Sequence, residues 1–355
     1  MQPPMQQAMQ QAVPSPVPSP VPPPVPSPER PRAAVGVVAI GRNEGERLRV
    51  CLTSVAGQAA HTVYVDSGST DGSAELARRL GASVVDLDMT LPFTAARARN
   101  AGFARLGALA PEVEFVQFVD GDCEVRPAWI GRAQAFLESH PAAAAACGRR
   151  RERHPDRSVY NLLCDLEWDT PVGEARACGG DVLMRAAALR QAGGYRDDLI
   201  AGEEPELCIR LRGHGWRIWR LDEEMTLHDA GMTRFGQWWQ RTRRAGFAYA
   251  EGARLHGAAP ERHWVRESRS AWLWGAALPL GIAVLALLAG PGWLLALAVY
   301  PLQMLRLYLR AESGARGRAA RAVFLVLGKF AEAFGQAQYT ARRWAGGPVQ
   351  LIEYK

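Results

Sequence analysis

Lysine is almost absent from this sequence of 355 residues. Lysine and arginine together number 42, but lysine occurs only as Lys329 and Lys355, so nearly all of the positive charge is arginine. No lysine-rich run and no basic patch interleaved with aromatic residues is present, which argues against a nucleic-acid partner. The arginines cluster instead around an apolar C-terminal region, which favours contact with a membrane surface.

Several other patterns are missing. The six cysteines form no CxxC pair, and no signal-peptide pattern opens the sequence, so we expect reduced thiols in a cytosolic compartment. No GxxxxGK[ST] segment follows a strand-like run, and no GxGxxG segment opens a helix after the first one. The sequence therefore disfavours P-loop nucleotide hydrolases and dinucleotide-dependent dehydrogenases.

The chain divides by composition into three parts. Residues 1–34 are rich in glutamine, proline and serine, with VPSP-type repeats, and we predict a disordered tail of polyproline-II character. Residues 35–250 alternate short apolar runs with helical patterns, and residues 251–355 contain long apolar stretches. We expect the second part to be a folded α/β domain and the third to be helical and membrane-associated.

The pattern of apolar runs in residues 35–250 predicts an α/β fold. Strands are expected at residues 35–40, 62–65, 82–85 and 114–119, with helices at 46–56, 74–80 and 94–106 between them. This alternation is typical of a mostly parallel sheet with helices on both faces. Beyond it, we predict helices at 129–138, 186–192, 204–213 and 235–250, and strands at 142–148 and 216–221.

In residues 251–355, the long apolar stretches predict an apolar helical hairpin over about residues 271–309. Residues 271–289 carry no charge, and spanning a bilayer takes about 20 apolar residues. Residues 290–292, Gly-Pro-Gly, interrupt the run, and arginines flank the hairpin at both ends but not at this turn. That charge pattern favours two cytoplasmic ends; a buried helix pair and a re-entrant hairpin are the alternatives. An amphipathic helix at about 320–340 is expected at the membrane interface.

The clearest chemical signal is the pair Asp120 and Asp122, which ends a strand-like run. Residues two apart on a strand face the same way, and open α/β sheets bind ligands at the carboxyl ends of their strands. Two carboxylates in one crevice repel each other unless a cation lies beside them. A divalent cation with a phosphate-bearing ligand is therefore expected, and an Asp-Gly turn is the structural alternative.

Other acidic residues and one histidine lie at similar places. Asp66 follows the second strand, and Glu203 and Glu204 begin a predicted helix. His228 comes after the strand predicted to end at residue 221. Each has a structural alternative, because Asp66 also suits a helix N-cap, the glutamates suit a helix N-terminus, and a single histidine is commonly a packing residue.

At these residues the sequence resembles the family 2 glycosyltransferases of the GT-A fold, from about residue 35 to residue 246. Residues 63–73 resemble the family's DxGSTDG segment, residues 98–102 its RNxG helix, and Asp120-Gly121-Asp122 its DxD motif. Residues 179–181 resemble its acceptor-side segment, and residues 202–207 its "ED" helix start. These segments occur in the family's order.

The resemblance implies a role for each matched position. Glu204 occupies the position of the catalytic base, with Glu203 as a rival, because the family usually has aspartate there. Asp122, Asp120 and His228 would hold Mg²⁺ or Mn²⁺, and Gly180 and Asp181 would lie on the acceptor side. The nucleotide sugar would be bound by Asp66, Ser67, Arg99, Asp120, Gly121 and Asp122.

The expected function is metal-dependent, inverting transfer of a sugar from a nucleotide-diphosphate sugar. The apolar hairpin suggests a lipid-linked or saccharide acceptor near the membrane, in polysaccharide or glycolipid assembly. We expect attachment to the cytoplasmic membrane with the catalytic domain facing the cytoplasm. One alternative is an inactive, membrane-attached assembly factor of the same fold. A DxD-type phosphatase is disfavoured, because Glu124 stands where such enzymes have threonine or valine.

Overall fold

The computed structural model describes residues 34–346. Apart from Ala34, the predicted tail of residues 1–34 lies outside the described residues, and so do residues 347–355 of the third part. Within the described range, nine strands form one sheet in the order β3-β2-β1-β4-β8-β6-β9-β5, with β7 beside β9. The strands are β1 (Ala34–Gly41), β2 (His61–Asp66), β3 (Ser83–Asp86), β4 (Val113–Asp120), β5 (Cys123–Val125), β6 (Ala143–Glu152), β7 (Gly173–Ala175), β8 (Val182–Arg185) and β9 (Arg217–His228).

The first four strands pair in parallel, as the alternation of strands and helices predicted. β1 is buried from Val35 to Ile40, which is typical of a parallel strand covered on both faces. The later pairings β4–β8, β6–β8, β5–β9 and β7–β9 are antiparallel, and β6–β9 is parallel. The sheet as a whole is therefore mixed, and its parallel half contains the first DxD aspartate, Asp120, at the end of β4.

Helices cover the sheet and continue into the C-terminal part. The hydrophobic core lies between the sheet and its flanking helices and includes Leu48, Leu106 and Leu137. The helices are α1 (Glu46–Val55), α2 (Ser73–Arg79), α3 (Ala95–Leu109), α4 (Trp129–Ser139), α5 (Val159–Glu167), α6 (Ala186–Gln191), α7 (Glu203–Gly213), α8 (Phe235–His256), α9 (Val265–Trp272), α10 (Leu278–Ala289), α11 (Val299–Arg310) and α12 (Arg318–Ala345).

One strand is longer than the sequence predicted. The strand expected to end at residue 221 continues as β9 to His228, so His228 is in the strand rather than after it. The part of β9 that was not predicted includes the acidic residues 222–224, and β6 supplies arginines beside them. Arg151 donates to Glu224 at 2.8 Å, and such opposite-charge pairs stabilise neighbouring strands. The short elements β5, β7, β8 and α5 were not predicted either.

The C-terminal helices pack on α8. The boundary predicted between residues 250 and 251 falls inside α8, which ends at His256. Glycines allow close helix crossings here, because a Cβ on Gly246 would overlap the backbone of Glu332 in α12, and one on Gly335 would overlap the backbone of Arg243. Gly275 meets the backbone of Lys329 in the same way.

The apolar hairpin is present. Within residues 34–346, two helical stretches are long and apolar enough to cross a membrane, Val265–Ala289 and Pro291–Arg310. The first joins α9 to α10 through a π-helical turn, and the second begins with a 3₁₀ helix. Leu287 and Leu288, near the turn, are 85% and 81% exposed. Large apolar side chains exposed in a continuous patch mark a surface that meets an apolar partner.

Candidate active site

A cleft of about 580 Å³ opens at the carboxyl ends of β1 and β4. The start of α7 forms another part of its wall, and α8 contributes Arg241 and Arg244. This is the edge at which open α/β sheets bind ligands. The predicted site residues that line it are Arg99, Asp120, Gly121, Asp122, Glu203, Glu204 and His228.

Arg99 connects the two groups of carboxylates in this cleft. It comes from α3, and its guanidinium is buried. Nη2 donates to Asp120 Oδ1 at 2.9 Å, while Nη1 lies 2.8 Å from Glu203 Oε1 and 3.1 Å from Glu204 Oε1. One cation thus offsets the repulsion between three carboxylates, which the planar fork of an arginine suits better than a lysine ammonium.

The two glutamates differ in their surroundings. The Glu203 side chain is 4% exposed and that of Glu204 is 16% exposed. Burial and the negative charge of Glu203 raise the pKa of Glu204 to about 7, against the opposing effect of Arg99. A carboxylate with a pKa near neutrality suits general base chemistry. Both glutamates stand in the first turn of α7, after Gly202 in a left-handed conformation at φ 82°.

Gly180 lies against this cluster. A Cβ there would overlap Arg99 and would stand 3.0 Å from Glu204 Oε1 and 3.2 Å from Asp120 Oδ2. Any larger residue would push the arginine away from its carboxylates. The sequence placed Gly180 on the acceptor side, and this remains a prediction.

Asp181 lies under the cleft. Its side chain is fully buried. Oδ1 accepts the backbone N–H of Asp120 at 3.1 Å, and Oδ2 accepts from Arg150 Nε at 2.9 Å and Thr226 Oγ1 at 2.7 Å. The buried carboxylate of Asp181 therefore supports the DxD segment from below. Its expected place on the acceptor side remains a prediction.

Arg150 is a cleft residue that the sequence analysis missed. Its Nη2 lies 3.2 Å from Asp120 Oδ2, and its guanidinium lies over the Trp168 ring at 5.4 Å. No signal in the sequence pointed to it, because Arg150 is one of three consecutive arginines and the pairing of β6 with β9 is irregular at Arg149 and Arg150. Arg149 pairs with Asp165 and Arg151 with Glu224. The three consecutive arginines therefore pair with different carboxylates, and Arg150 is the one that contacts Asp120.

Asp122 and His228 form the part of the cleft that fits a metal ion. His228 Nε2 lies 3.2 Å from Asp122 Oδ2, and the buried Nδ1 has no hydrogen-bond partner among residues 34–346. Burial and the charge of Arg150 lower the pKa of His228 to about 4, so the ring is neutral at neutral pH and has a lone pair to offer. Carboxylate oxygens suit Mg²⁺ and Mn²⁺, and a neutral imidazole is the commonest side-chain metal ligand in proteins. Cys123 completes the cluster, but burial raises the pKa of its thiol well above the ordinary value.

Asp66 and Ser67 are not among the described residues that line the cleft. Asp66 Oδ2 accepts the backbone N–H groups of Gly68 at 3.1 Å and Ser69 at 2.8 Å. Asp66 therefore closes the loop after β2, and the N-cap of α2 is Gly72. Ser67 donates its backbone N–H to Gly41, which does line the cleft, at 3.0 Å. The nucleotide-binding role of both residues remains a prediction.

Comparison with known proteins gives a consistent result. Residues 37–171 match the model of "Glycosyl transferase family 2". The chain is 29% identical over 187 residues to the succinoglycan biosynthesis protein ExoA of Rhizobium meliloti (strain 1021), covering 50% of this chain and 56% of ExoA. The chain thus spans little more than half the length of that relative.

A second relative and one solved structure extend the comparison. The glycosyltransferase AglE of Haloferax volcanii is 30% identical over 210 residues, covering 55% of this chain and 67% of AglE. The mannosyltransferase PcManGT of Pyrobaculum calidifontis, solved with GDP-Man and Mn²⁺, is 18% identical with a TM-score of 0.59. That likeness covers 87% of this chain and 88% of PcManGT, and it shows the expected GT-A fold. With the DxD segment and the α7 glutamates in one cleft, the matched model and the relation to AglE show that the chain belongs to glycosyltransferase family 2.

Proposed function

We propose that the chain transfers a sugar from a nucleotide-diphosphate sugar to an acceptor hydroxyl, with inversion at the anomeric carbon. The observation that carries this proposal is the position of Arg99, which contacts Asp120 of the DxD segment and both α7 glutamates. The residues suited to the diphosphate and those suited to proton transfer therefore share one cleft. Inverting transfer needs both at the same anomeric carbon.

The donor end of the cleft is assigned to Asp122, Asp120 and His228. These residues would hold Mg²⁺ or Mn²⁺, which offsets the negative charge of the leaving nucleoside diphosphate. Arg150 contributes a permanent positive charge beside Asp120. Asp66 and Ser67, at the end of β2, are proposed to meet the nucleoside.

Glu204 is the proposed base. As the acceptor oxygen forms its bond to the anomeric carbon and the bond to the diphosphate breaks, Glu204 takes the hydroxyl proton. Its exposed fraction is larger than that of Glu203, which favours it as the group that reaches an acceptor. Glu203, buried against Arg99, is proposed to hold that arginine in place and to keep the pKa of Glu204 high.

The acceptor is proposed to be lipid-linked or to lie close to a membrane. Two apolar helical stretches follow the catalytic part of the chain, and arginines flank the apolar hairpin but not its turn. That pattern supports attachment to the cytoplasmic membrane, with the cleft on the cytoplasmic side. The relation to ExoA, a succinoglycan biosynthesis protein, supports a role in polysaccharide or glycolipid assembly.

The test is a panel of UDP-, GDP- and dTDP-sugars incubated with the detergent-purified chain and Mn²⁺ or Mg²⁺. We expect metal-supported release of the nucleoside diphosphate from one donor class. Asp122→Asn should reduce this release by at least about a hundredfold, because it removes a charged ligand of the metal. Asp86→Asn, an exposed aspartate on β3, is the matched control and should retain full activity. Wild-type turnover in Asp122→Asn would remove Asp122 from the site.

A further inference from the structure

The indole of Trp264 occupies a slot between two glycines. Trp264 lies in the segment between α8 and α9. A Cβ on Gly202 would stand 2.6 Å from indole Cη2, and a Cβ on Gly252 would stand 2.5 Å from Cε3. Real Cβ contacts are not this short, so neither glycine could gain a side chain while the ring stays where it is.

The ring is held in this slot from several sides. His263 stacks on it with centroids 4.1 Å apart, and Tyr249 of α8 meets it edge-on at 5.2 Å. The backbone of Trp264 is left-handed, at φ 52°. For a bulky residue this conformation is strained and persists only where the surroundings impose it. The local packing therefore fixes both the ring and the backbone that carries it.

One wall of the slot is the start of α7. Gly202 immediately precedes Glu203 and Glu204 and is the N-cap of their helix. Two further contacts dock α7 and its approach on α8: Glu206 Oε1 lies 3.1 Å from His256 Nε2, and Ile200 packs with Phe247. The Trp264 ring contacts α7 at Gly202, the residue directly before the two carboxylates.

We propose that Trp264 is a positioning residue, which sets the start of α7 and so the placement of Glu204 relative to Arg99. The inference rests on the proposed function of Glu204 as the base. Trp264 is not among the described residues that line the cleft, so it acts through Gly202 rather than on a substrate. The C-terminal part, which the sequence separated from the catalytic domain, thereby supplies a residue to the catalytic arrangement.

The proposal predicts a loss in kcat rather than in donor binding. Trp264→Ala empties the slot and lets the start of α7 shift, and a misplacement of about 1 Å at a reacting group can cost a hundredfold in rate. We expect kcat for sugar transfer to fall about ten- to a hundredfold, with KM for the donor within about twofold. Trp264→Phe keeps a flat ring in the slot and should retain most of kcat. Trp344→Ala, at an exposed position, is the control.

A second variant, Gly252→Ala, tests the same contact in case Trp264→Ala does not fold. Gly252→Ala leaves the indole in the chain but pushes it from the slot, while alanine favours the helix. It should show the same loss in kcat. Wild-type kcat in Trp264→Ala or Gly252→Ala, or equal losses in Trp264→Phe and Trp264→Ala, would overturn the positioning role. If those variants transfer normally while Glu204→Gln is inactive, the proposed function stands and this inference fails. Absence of transfer by the wild type would reject the proposed function itself.

Discussion

Glu203 and Glu204 are neighbours in the sequence, yet the structure gives them different surroundings. Both contact the same nitrogen of Arg99, but Glu203 is the more deeply buried. The charge of Glu203 is one of the causes that raise the pKa of Glu204. The sequence alone kept both as candidates for the base. The choice between them depends on burial and on one distant arginine, which spacing does not show.

The pH dependence of sugar transfer should follow the ionisation of the Glu204 carboxyl group. A base acts in its ionised form, and a pKa of about 7 means that this form is half populated near neutral pH. We expect kcat/KM to rise with pH up to about 7 and to level off above it, falling about tenfold per pH unit on the acid side. The measurement is initial rate against pH from 5.5 to 9 with a fixed donor.

Two substitutions distinguish the roles of Glu203 and Glu204 in the same pH–rate measurement. Glu204→Gln should abolish transfer at every pH. Glu203→Gln should retain transfer and move the acid limb to lower pH, because removing the neighbouring negative charge lowers the pKa of Glu204. An inactive Glu203→Gln beside an active Glu204→Gln would assign the base to Glu203 instead.

At the scale of the elements, sequence patterns were most informative where one strand or helix repeats a simple period. The buried β-branched runs of β1, β2 and β4 were predicted close to their observed bounds. The prediction ended β9 seven residues too early, at residue 221. The acidic residues that follow are stabilised in the strand by arginines from β6, some 70 residues earlier in the chain, and a local pattern does not show such contacts. The three-residue strands β5 and β7 have too few residues for any period to show.

The crossing of α8 and α12 depends on glycine. A side chain on Gly246 would overlap the backbone of Glu332, and backbone cannot rotate away as a side chain can. We expect Gly246→Val to lower the free energy of unfolding by about 1–3 kcal/mol, the usual cost of overpacking. Thermal or chemical unfolding in detergent would measure it.

A helical glycine with open space around it is the matched control for this prediction. Apart from its chain neighbours and the backbone of its own helix, no atom of the described residues lies within 4 Å of the Cβ position of Gly131 in α4. Gly131→Ala should raise the free energy of unfolding by about 0.5–1 kcal/mol, because alanine loses less conformational freedom on folding. Equal effects of the two substitutions would contradict a close crossing at Gly246.

At the scale of the whole molecule, the catalytic part and the apolar hairpin are joined without an evident linker in the described residues. α8 lines the cleft with Arg241 and Arg244, packs along α12, and is followed by Trp264 and α9. The sequence indicated a change of composition near residue 251, and this was read as a domain boundary. It could not indicate that the helices after that point pack back on the catalytic part, because such contacts are long-range.

Membrane attachment gives the prediction at this scale. Leu287→Arg together with Leu288→Arg places two charges near the turn of the hairpin, each costing about 2.5–3.5 kcal/mol in the bilayer interior. We expect the wild type to need detergent for extraction and the double variant to shift to the soluble or carbonate-extracted fraction. Leu109→Arg, at an exposed position on α3, should fractionate like the wild type. Release of the wild type by high salt alone would argue against insertion.

The close approach of Gly275 to the backbone of Lys329 has a practical consequence for spectroscopy. Lys329 is one of two lysines in the chain, and the other is Lys355. After Lys355→Arg, and with the α-amine blocked, an amine-reactive fluorophore has a single target, Lys329, on α12 at the point where the first apolar stretch crosses it. The emission of that dye would report whether the two helices stay in contact as the protein moves from detergent into lipid vesicles, without any cysteine having to be introduced.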